Sequence, residues 1–458
     1  MNQHSDVTVS ATQLAELISQ AIASARMEDW YSVVQSLHQI VGSFNVTDAK
    51  AESSNVLADQ DWVILDLALR VLDDGDFQER WEVSRIFAAL GEAFAEQMPC
   101  LTEPLIARLQ NADADPELRW FAARILGELR HPTVLAALLQ VIRESPRDEL
   151  IEAAVTALSN YGAIAIAELA QLLHHPSTRL LATKTLAQIR SGDVVDPLLS
   201  VVSDADPSVR AAALSALSNF EDPRVVPLLM DALHDPSSRV RCTAVTDLSF
   251  WPDAVSHADL AGLIQPLLND PDTTVCQQAA IALGRVGTTH AVKALQRALS
   301  LPYLALSVHV TVIRALGWID TAAALQALSE YAAQPDTLPV EVLLELIAAL
   351  GRVRKPSLTP DAAHCLINLL PKAATLPQPI LIQQTIAQEL GQLGEPVALE
   401  ALLTLAAHPS MTLKLHALAA LKKLDAASAY ERLQSLVSDP AQPITVQQEL
   451  AIAIQEWG

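Results

Sequence analysis

The sequence predicts an all-α protein: a right-handed α-α superhelix of about eleven helical hairpins, preceded by an N-terminal pair of helices. Three observations predict this fold class. The composition favours helices, because the 458 residues are rich in Ala and Leu, whereas only 14 are Gly and 4% are aromatic. Many of the 26 prolines follow Asp or His, a placement that suits the first turn of a helix, where the missing N–H is not needed. The third observation is a leucine that recurs along most of the chain.

This leucine, here called the anchor, closes a segment of the form AxxALG or AxxALS, and successive segments lie 28 to 40 residues apart. The anchors are Leu90, Leu126, Leu158, Leu186, Leu217, Leu248, Leu283, Leu316, Leu350, Leu390 and Leu421, and Ile452 continues the series. A period near 31 residues that is sustained over so much of a chain is typical of a repeat array. We therefore expect one structural unit repeated many times rather than several unrelated domains.

One repeat resolves into two amphipathic helices joined by a short turn. The segments VRAAALSAL (209–217) and VVPLLMDAL (225–233) both place apolar residues at three- and four-residue spacing. Residues 219–223 form the turn between them, and Asp235-Pro236 starts the next repeat. A single hairpin cannot bury both of its faces, so neighbouring repeats are expected to stack and to form a continuous core.

The N-terminal end of the chain departs from this pattern. Residues 1–42 are predicted to form a helical pair, 43–60 are polar and aperiodic and predict a linker, and the repeat array is expected over 61–458. The sequence does not decide whether the pair caps the array or docks elsewhere. Longer turns interrupt the period at 250–259, 353–360 and 372–380, and such insertions often lie at a binding face.

The stretch DPSVRAAALSALSNFEDPRVVPLLMDAL resembles a HEAT repeat of the short bacterial type, also called the phycocyanobilin-lyase or PBS-lyase HEAT-like repeat. The resemblance covers about 76–458 and implies a HEAT-repeat solenoid, an armadillo-like helical array. It also implies a structural ladder of arginines in the first helices, which align as Arg119, Arg179, Arg210 and Arg241. The following repeats carry Cys276, His309, Leu343, Gln383 and Lys414 there. We expect the ladder to bond Asp side chains or turn carbonyls and to fix the register between repeats.

Charge and cysteine content narrow the classes of partner. The net charge of −23 opposes broad binding to nucleic acid or to an anionic membrane, because phosphate-rich partners need a basic face. The sequence GRVRKP (351–356) is the best local basic segment. No secretory signal or run of about 20 apolar residues is evident, and the four cysteines form no CxxC pair. These features predict an acidic, cytoplasmic protein without membrane insertion.

No pattern of catalytic or metal-binding residues emerges from the sequence. The histidines occur singly or as one adjacent pair, and the chain has no His-Glu dipeptide of the kind found in HEAT-type di-iron hydroxylases. No GxSxG or phosphate-binding glycine motif is present. Cys242 and Cys276 lie at offset positions of adjacent repeats, where small buried residues are ordinary. We therefore predict no catalytic residue, no metal and no cofactor.

A stripe of apolar residues on the second helices is the candidate partner-binding surface. By alignment of the repeats, two positions per unit are expected to point towards an inner, concave wall. The predicted partner-binding residues are Leu135, Leu139, Ile166, Val195, Leu199, Val226 and Met230, together with Trp251 in the insertion at 250–259. An exposed apolar band with an acidic rim would form a protein-docking groove, whereas burial between second helices would make the same residues part of the core.

These observations predict a non-catalytic scaffold or assembly adaptor that binds a partner protein in the concave groove. The resemblance implies an alternative enzymatic function, a phycobilin lyase or lyase chaperone subunit that attaches bilin to phycobiliproteins of the phycobilisome. Tyr161, Trp120, Arg119 and Arg179 could then hold the bilin. A further alternative implied by relatives is an accessory factor for iron–sulfur carrier proteins. The sequence predicts protein partners without naming them, and it does not define the oligomeric state.

Overall fold

The structure is a computed structural model. It describes residues 11–44, 57–93, 98–145, 147–250, 257–301, 304–334 and 338–457. These ranges contain 25 α-helices and no β-strand, which confirms the prediction of an all-α repeat fold. Most of the predicted linker, residues 45–56, lies outside the described residues. The chain divides into two compact units, Met1–Asp222 (unit 1) and Pro223–Gly458 (unit 2).

Unit 1 contains twelve helices in its described part. They are α1 (Ala11–Arg26), α2 (Trp30–Phe44), α3 (Leu57–Asp74), α4 (Phe77–Ala93), α5 (Met98–Gln110), α6 (Pro116–Leu129), α7 (Leu135–Glu144), α8 (Asp148–Asn160), α9 (Ile166–Leu172), α10 (Pro176–Leu186), α11 (Val195–Leu199) and α12 (Pro207–Leu217). The even-numbered helices, which are the first helices of the predicted repeats, pack on one another in chain order. Each odd-numbered helix packs against the even-numbered helix that follows it. Because α2 packs on α4, the N-terminal pair contributes to the same layer, and its status as a separate domain stays a prediction.

Unit 2 follows the same plan. Its helices are α13 (Val225–Ala232), α14 (Ser238–Leu248), α15 (His257–Ile264), α16 (Thr273–Val286), α17 (Thr289–Leu299), α18 (Leu306–Ile319), α19 (Ala322–Ala332), α20 (Val340–Gly351), α21 (Thr359–Ala373), α22 (Pro379–Leu393), α23 (Leu399–Ala406), α24 (Met411–Val437) and α25 (Ile444–Gln455). The even-numbered helices again pack in order, and α25 packs on α24. A non-helical residue, Asp425, kinks α24.

Aspartates and prolines start many of the helices, as their positions in the sequence predict. Asp206 caps α12 by accepting a hydrogen bond from the backbone N–H of Ser208 at 2.8 Å, and Pro207 takes the first helical position. Asp115 caps α6 in the same way, 3.1 Å from the N–H of Glu117. Where these residues occur, the repeat sequence itself fixes the start of the helix.

The anchor leucines form the core of both units. All eleven, from Leu90 to Leu421, are completely buried. Ile452, which was expected to continue the series, is instead 36% exposed. Helix α25, which packs on α24, buries Leu450 and Ala453 instead of Ile452.

The residue after the anchor sets how closely the even-numbered helices approach. A Cβ atom added at Gly127 would lie 2.6 Å from the Cβ of Ala157 on the next even-numbered helix, so only glycine fits there. The same Gly-to-Ala approach occurs at Gly391 and Ala420, where the distance would be 2.7 Å. Small residues at this position therefore hold the neighbouring repeats in register.

Candidate protein-binding groove

An aromatic cluster lies where α4 and α6 of unit 1 meet. Phe77, the first residue of α4, is 53% exposed, and its ring centroid lies 5.4 Å from that of Phe121 and 6.2 Å from that of Trp81. Phe121 is completely buried and meets Trp120 edge-on at 5.0 Å. These four rings build an apolar floor whose outer edge, at Phe77, faces solvent.

Arg124 is held in this cluster by aromatic rings. Its guanidinium carbon lies 3.8 Å from the ring centroid of Trp81 and 6.0 Å from that of Trp120, within the range of cation–π attraction. Its Nε atom lies 3.4 Å from Oε1 of Glu128, yet it is buried and makes no hydrogen bond within the described structure. Trp120 and Arg124 are four residues apart on α6, a spacing that places them on one helix face.

A groove of about 880 Å³ opens above the cluster and is lined by the first residue of α4 and by residues along the length of α6 and α8. Its lining combines Phe77, Trp120 and Leu150 with charged residues of the three helices. The charged lining residues are Asp115, Glu117, Glu128, Glu149 and Glu152, which are acidic, and Arg124 and Arg147, which are basic. Five carboxylates against two guanidinium groups give the groove an acidic wall over an aromatic floor.

Arg80 positions part of that acidic wall. Its buried Nη1 atom donates to Oδ2 of Asp115 and to Oε2 of Glu117, each at 2.7 Å, and its Nη2 atom donates to the carbonyl of Asp73 at 3.0 Å. The hydrogen bond from Arg80 lowers the pKa of Asp115 below its usual value, even though partial burial opposes this shift. The carboxylate of Asp115 therefore stays ionised at the mouth of the groove, fixed in position by the buried guanidinium.

The predicted ladder arginines bond within their own stack. Arg119 donates to the carbonyl of Leu109 at 2.9 Å, and Arg179 donates to the carbonyl of Leu173 and to Oδ2 of Asp204. Two further arginines complete the set. Arg210 donates to the carbonyls of Asp204 and Ala205, and Arg241 pairs with both carboxylate oxygens of Asp270 at 2.7 Å. Arg119 thus bonds the end of the preceding helix, and the other three bond the turn before their own helix or an Asp of the next repeat.

The ladder position of the first helices also carries a polar side chain in α24, near the end of unit 2. Lys414 is only 1% exposed, and its Nζ atom donates to Oε2 of Glu449 at 2.6 Å and to the carbonyl of Glu449 at 3.1 Å. Cys276 occupies the position on α16, where its thiol donates to the carbonyl of Asp270 at 3.2 Å. At Cys276 and Lys414 the ladder position therefore still bonds an adjacent element, although arginine is replaced.

The predicted apolar stripe is not an exposed band in the structure. The side chains of Leu135, Leu139, Ile166, Val195 and Val226 are buried, and those of Leu199 and Met230 are half-buried. The expectation of exposure is corrected here, because these positions pack against neighbouring helices and contribute to the core. Trp251, the eighth predicted contact, lies outside the described residues.

The residues expected to hold a bilin do not assemble into a pocket around their polar groups. Tyr161 is buried, and its hydroxyl donates to the carbonyl of Leu126 at 2.8 Å. Burial raises the pKa of this phenol above its usual value. Arg119 and Arg179 are engaged in the ladder, and Trp120 belongs to the aromatic floor of the groove.

Cysteines and potential metal ligands are dispersed. Among the residues that the structure describes, no group of three His, Cys, Asp or Glu side chains could hold a metal ion. Burial raises the pKa of both Cys242 and Cys276, which keeps these thiols protonated and poorly nucleophilic. In the same described ranges, no helix is long and apolar enough to cross a membrane.

Comparison with known families agrees with this architecture. A family model of HEAT repeats matches residues 102–179, 166–249 and 260–340, which together make up half of the chain. The chain belongs to the HEAT-repeat family. The matches begin in α5 and end in α20, so both units of this HEAT-repeat protein contain recognised repeats. No curated protein sequence matches the chain.

Several solved structures share the fold of this HEAT-repeat protein. Karyopherin Kap121p bound to Nup53p matches with a TM-score of 0.53 at 14% identity, and the alignment covers 97% of this chain and 57% of that one. Kap121p bound to Ste12p gives 0.53 at 16% identity with the same coverage. Kap121p bound to the extreme C-terminus of the protein phosphatase Cdc14p gives 0.52 at 15%, covering 97% and 58%. The chain thus spans less than two thirds of these karyopherin chains, and at such identities the likeness shows the fold alone.

Proposed function

We propose that this HEAT-repeat protein is a non-catalytic scaffold or assembly adaptor, and that the groove of unit 1 binds a basic segment of a partner protein. The observation that carries the proposal is the groove itself, in which five carboxylates surround an aromatic floor. Protein-binding sites commonly combine a central aromatic contact with a polar, charged rim. The HEAT fold and its likeness to protein-bound karyopherin structures support a role in protein binding.

The rings and carboxylates that line the groove favour a basic segment as the ligand. Phe77 and Trp120 offer ring surface to an apolar side chain or to the stem of a Lys or Arg side chain. Glu149 and Glu152 are exposed on α8 across from these rings and attract the cationic end of such a side chain. The net charge of −23 adds long-range attraction for a basic partner.

The short bacterial PBS-lyase subtype of the repeat and a cytoplasmic location stay predictions. No specific observation favours a phycobiliprotein or an iron–sulfur carrier as the partner, so the proposal defines the partner by its basic segment. We propose the groove, and not the apolar stripe, as the partner-binding surface, because the described side chains of the stripe are buried or half-buried.

The test is a direct binding measurement with defined peptides. Fluorescence anisotropy would follow a labelled ten-residue peptide that carries two Lys, two Arg and one central Leu, and a matched peptide in which Glu replaces each basic residue. The protein is compared with the double variant Glu149→Gln and Glu152→Gln. The control is the double variant Glu103→Gln and Glu221→Gln, which removes two exposed charges of unit 1 outside the groove.

We expect the basic peptide to bind and the groove variant to weaken binding by about tenfold, corresponding to about 1.4 kcal/mol, while the control variant stays close to the unaltered protein. The acidic peptide should not bind at this site. Equal losses in the two double variants would mean that overall charge, not the groove, attracts the peptide, and the proposal would be wrong.

A further inference from the structure

A second surface lies in unit 2 and is formed by the residue two positions after the anchor leucine of each repeat. This residue lies in the last turn of its helix or just beyond it, except in α24, where it lies two residues before the kink at Asp425. These residues, here called the exposed row, are Phe250, Arg285, Trp318, Arg352, Gln392 and Lys423. All six are exposed. The first four members alternate between aromatic and cationic side chains.

Successive members of the row lie close together because their helices are in contact at the residue just before each member. A Cβ added at Gly317 would lie 3.1 Å from the Cβ of Ala349, on the helix that carries the next member of the row. At the start of the row, the Arg285 guanidinium carbon lies 4.3 Å from the ring centroid of Phe250, and its Nη1 atom donates to Oγ of Ser249 at 2.9 Å. The row is therefore a continuous strip across packed helices.

The aromatic members are unusually open to solvent. Phe250 is 62% exposed and Trp318 is 50% exposed. Isolated exposed apolar residues are ordinary, but here the two rings recur at one register position beside arginines. Trp and Arg are the residue types that most often dominate the energetics of protein interfaces. The strip thus has the composition of a contact surface.

The charge of this strip is opposite to that of the chain. The chain as a whole carries −23, whereas the row and the turn after α20 expose a cluster of cations. These exposed cations are Arg285, Arg352, Arg354, Lys355 and Lys423. Two carboxylates lie beside them. Glu345 is held by Nη2 of Arg314 at 2.7 Å and by Nη2 of Arg352 at 2.5 Å, and Glu389 lies near Arg352 and Lys423. The strip therefore keeps a net positive charge.

We propose that the exposed row binds an extended acidic segment of a partner protein. Packed helices lie about 8–10 Å apart, so Arg285 and Arg352, two helices apart, are separated by about 16–20 Å. An extended chain advances about 3.3 Å per residue and returns to the same face every second residue. The segment therefore carries two carboxylates about six residues apart. Between them, on the same face of the segment, an apolar side chain packs on Trp318.

A protein segment fits this strip better than a nucleic acid does. Phosphate backbones present a charge every few ångströms and are held by broad basic faces, whereas here Trp318 separates Arg285 from Arg352. The remaining charge of the chain would also repel a long polyanion. This surface is independent of the groove of unit 1, because the two attract segments of opposite charge.

The test uses a labelled twelve-residue peptide with two Glu residues six positions apart and a Leu two positions after the first. Anisotropy is measured with the full chain and with the single variants Arg285→Ala and Trp318→Ala. Matched controls are Arg297→Ala and Trp62→Ala, which remove an exposed Arg and an exposed Trp outside the row. Circular dichroism confirms that each variant keeps its helical content, and a single-stranded dT oligonucleotide of twenty nucleotides is measured in parallel.

We expect each row variant to weaken peptide binding by about tenfold and each control to leave it unchanged. The double variant Glu149→Gln and Glu152→Gln should bind this peptide normally, which separates the proposal from that for the groove. No binding by the unaltered protein, equal binding of a peptide with Lys in place of Glu, or unchanged affinity in both row variants would overturn the proposal. Tighter binding of the oligonucleotide than of the peptide would do so as well.

Discussion

The hydroxyl of Tyr161 donates a 2.8 Å hydrogen bond to the main-chain carbonyl of Leu126, the anchor leucine of the preceding repeat. Tyr161 caps the C-terminal end of α8 and Leu126 lies in α6, so one buried side chain links two successive first helices. Both groups are shielded from water, and burial raises the pKa of the phenol, which therefore remains a donor across the physiological range. This bond adds a buried polar contact between the two helices, beside the close approach of Gly127 to Ala157.

Replacing Tyr161 with phenylalanine should lower the stability of unit 1 by about 1 kcal/mol, because the ring still packs while one buried hydrogen bond is lost. The thermal midpoint followed by circular dichroism measures the effect. Tyr31→Phe is the matched control, since Tyr31 is largely exposed. A thermal midpoint as low in the control as in Tyr161→Phe would contradict a stabilising role for this hydrogen bond.

The ladder arginines should differ in their contributions to stability. Arg241 makes a two-pronged pair with Asp270, whose side chain is almost completely buried, so Arg241→Ala leaves an uncompensated carboxylate and should cost about 3–5 kcal/mol. Arg119 bonds only the carbonyl of Leu109 among the hydrogen bonds described above, and Arg119→Ala should cost about 1 kcal/mol. Urea unfolding of the two variants gives the comparison. Equal losses would show that the carboxylate partner is not what distinguishes them.

Glu389 should make the stability of unit 2 depend on pH. It occupies the small-residue position filled by Ala349 and Ala420 in neighbouring repeats, and its carboxylate packs against Gly351. Burial raises its pKa above the usual 4.5, an effect that the positive charges of Arg352 and Lys423 oppose without cancelling. The folded state therefore holds this proton more tightly than the unfolded state does. Stability from this group is present below the usual pKa and is lost as pH rises through the raised one.

The variant Glu389→Gln keeps the shape of the side chain and removes its charge. We expect a higher thermal midpoint than that of the unaltered protein at pH 7, and little difference at pH 4, where the carboxyl is protonated in both states. Glu431→Gln, at an exposed position of α24, serves as the control. A shift of equal size at both pH values would mean that ionisation of Glu389 is not responsible.

Lys414 of α24 should stabilise the packing of α25 on α24. Its buried ammonium bonds both the side chain and the carbonyl of Glu449, so Lys414→Ala removes two charge-assisted hydrogen bonds and opens a cavity. Hydrogen exchange should accelerate at least tenfold across Ile444–Gln455 and remain unchanged in α16. Lys293→Ala, at an exposed position of α17, is the comparison. Protection of α25 that survives Lys414→Ala would contradict this account.

The fold could be predicted from the sequence because its determinants are local and repeated. The anchor leucine recurs in every repeat, many repeats start a helix with Asp-Pro or carry glycine after the anchor, and the structure buries all eleven leucines. The prediction was wrong for Ile452, where the last helix is not followed by another repeat in the described structure and presents different residues to α24.

The candidate groove could not be predicted in the same way, because its parts come from three helices. Trp120 and Arg124 are four residues apart, a local signal for a stacked pair, but Trp81 and Glu149 reach them only through the packing of α4, α6 and α8. The stripe on the second helices was assigned from helical periodicity alone. Periodicity identifies an apolar face and does not tell whether a neighbouring helix covers that face, as it does at Leu139.

The most direct test of the account is site-specific photo-cross-linking from the groove in the native host. Phe77 is replaced by p-benzoylphenylalanine, which keeps an aromatic side chain at the exposed edge of the floor, and Tyr31 is replaced in the same way as the control on another exposed aromatic position. After irradiation, mass spectrometry identifies the attached peptides. We predict that position 77 captures a Lys- or Arg-rich segment of a partner protein and that the capture is lost with Glu149→Gln and Glu152→Gln. Capture of the same proteins in equal yield from position 31, or of acidic segments at position 77, would contradict the account.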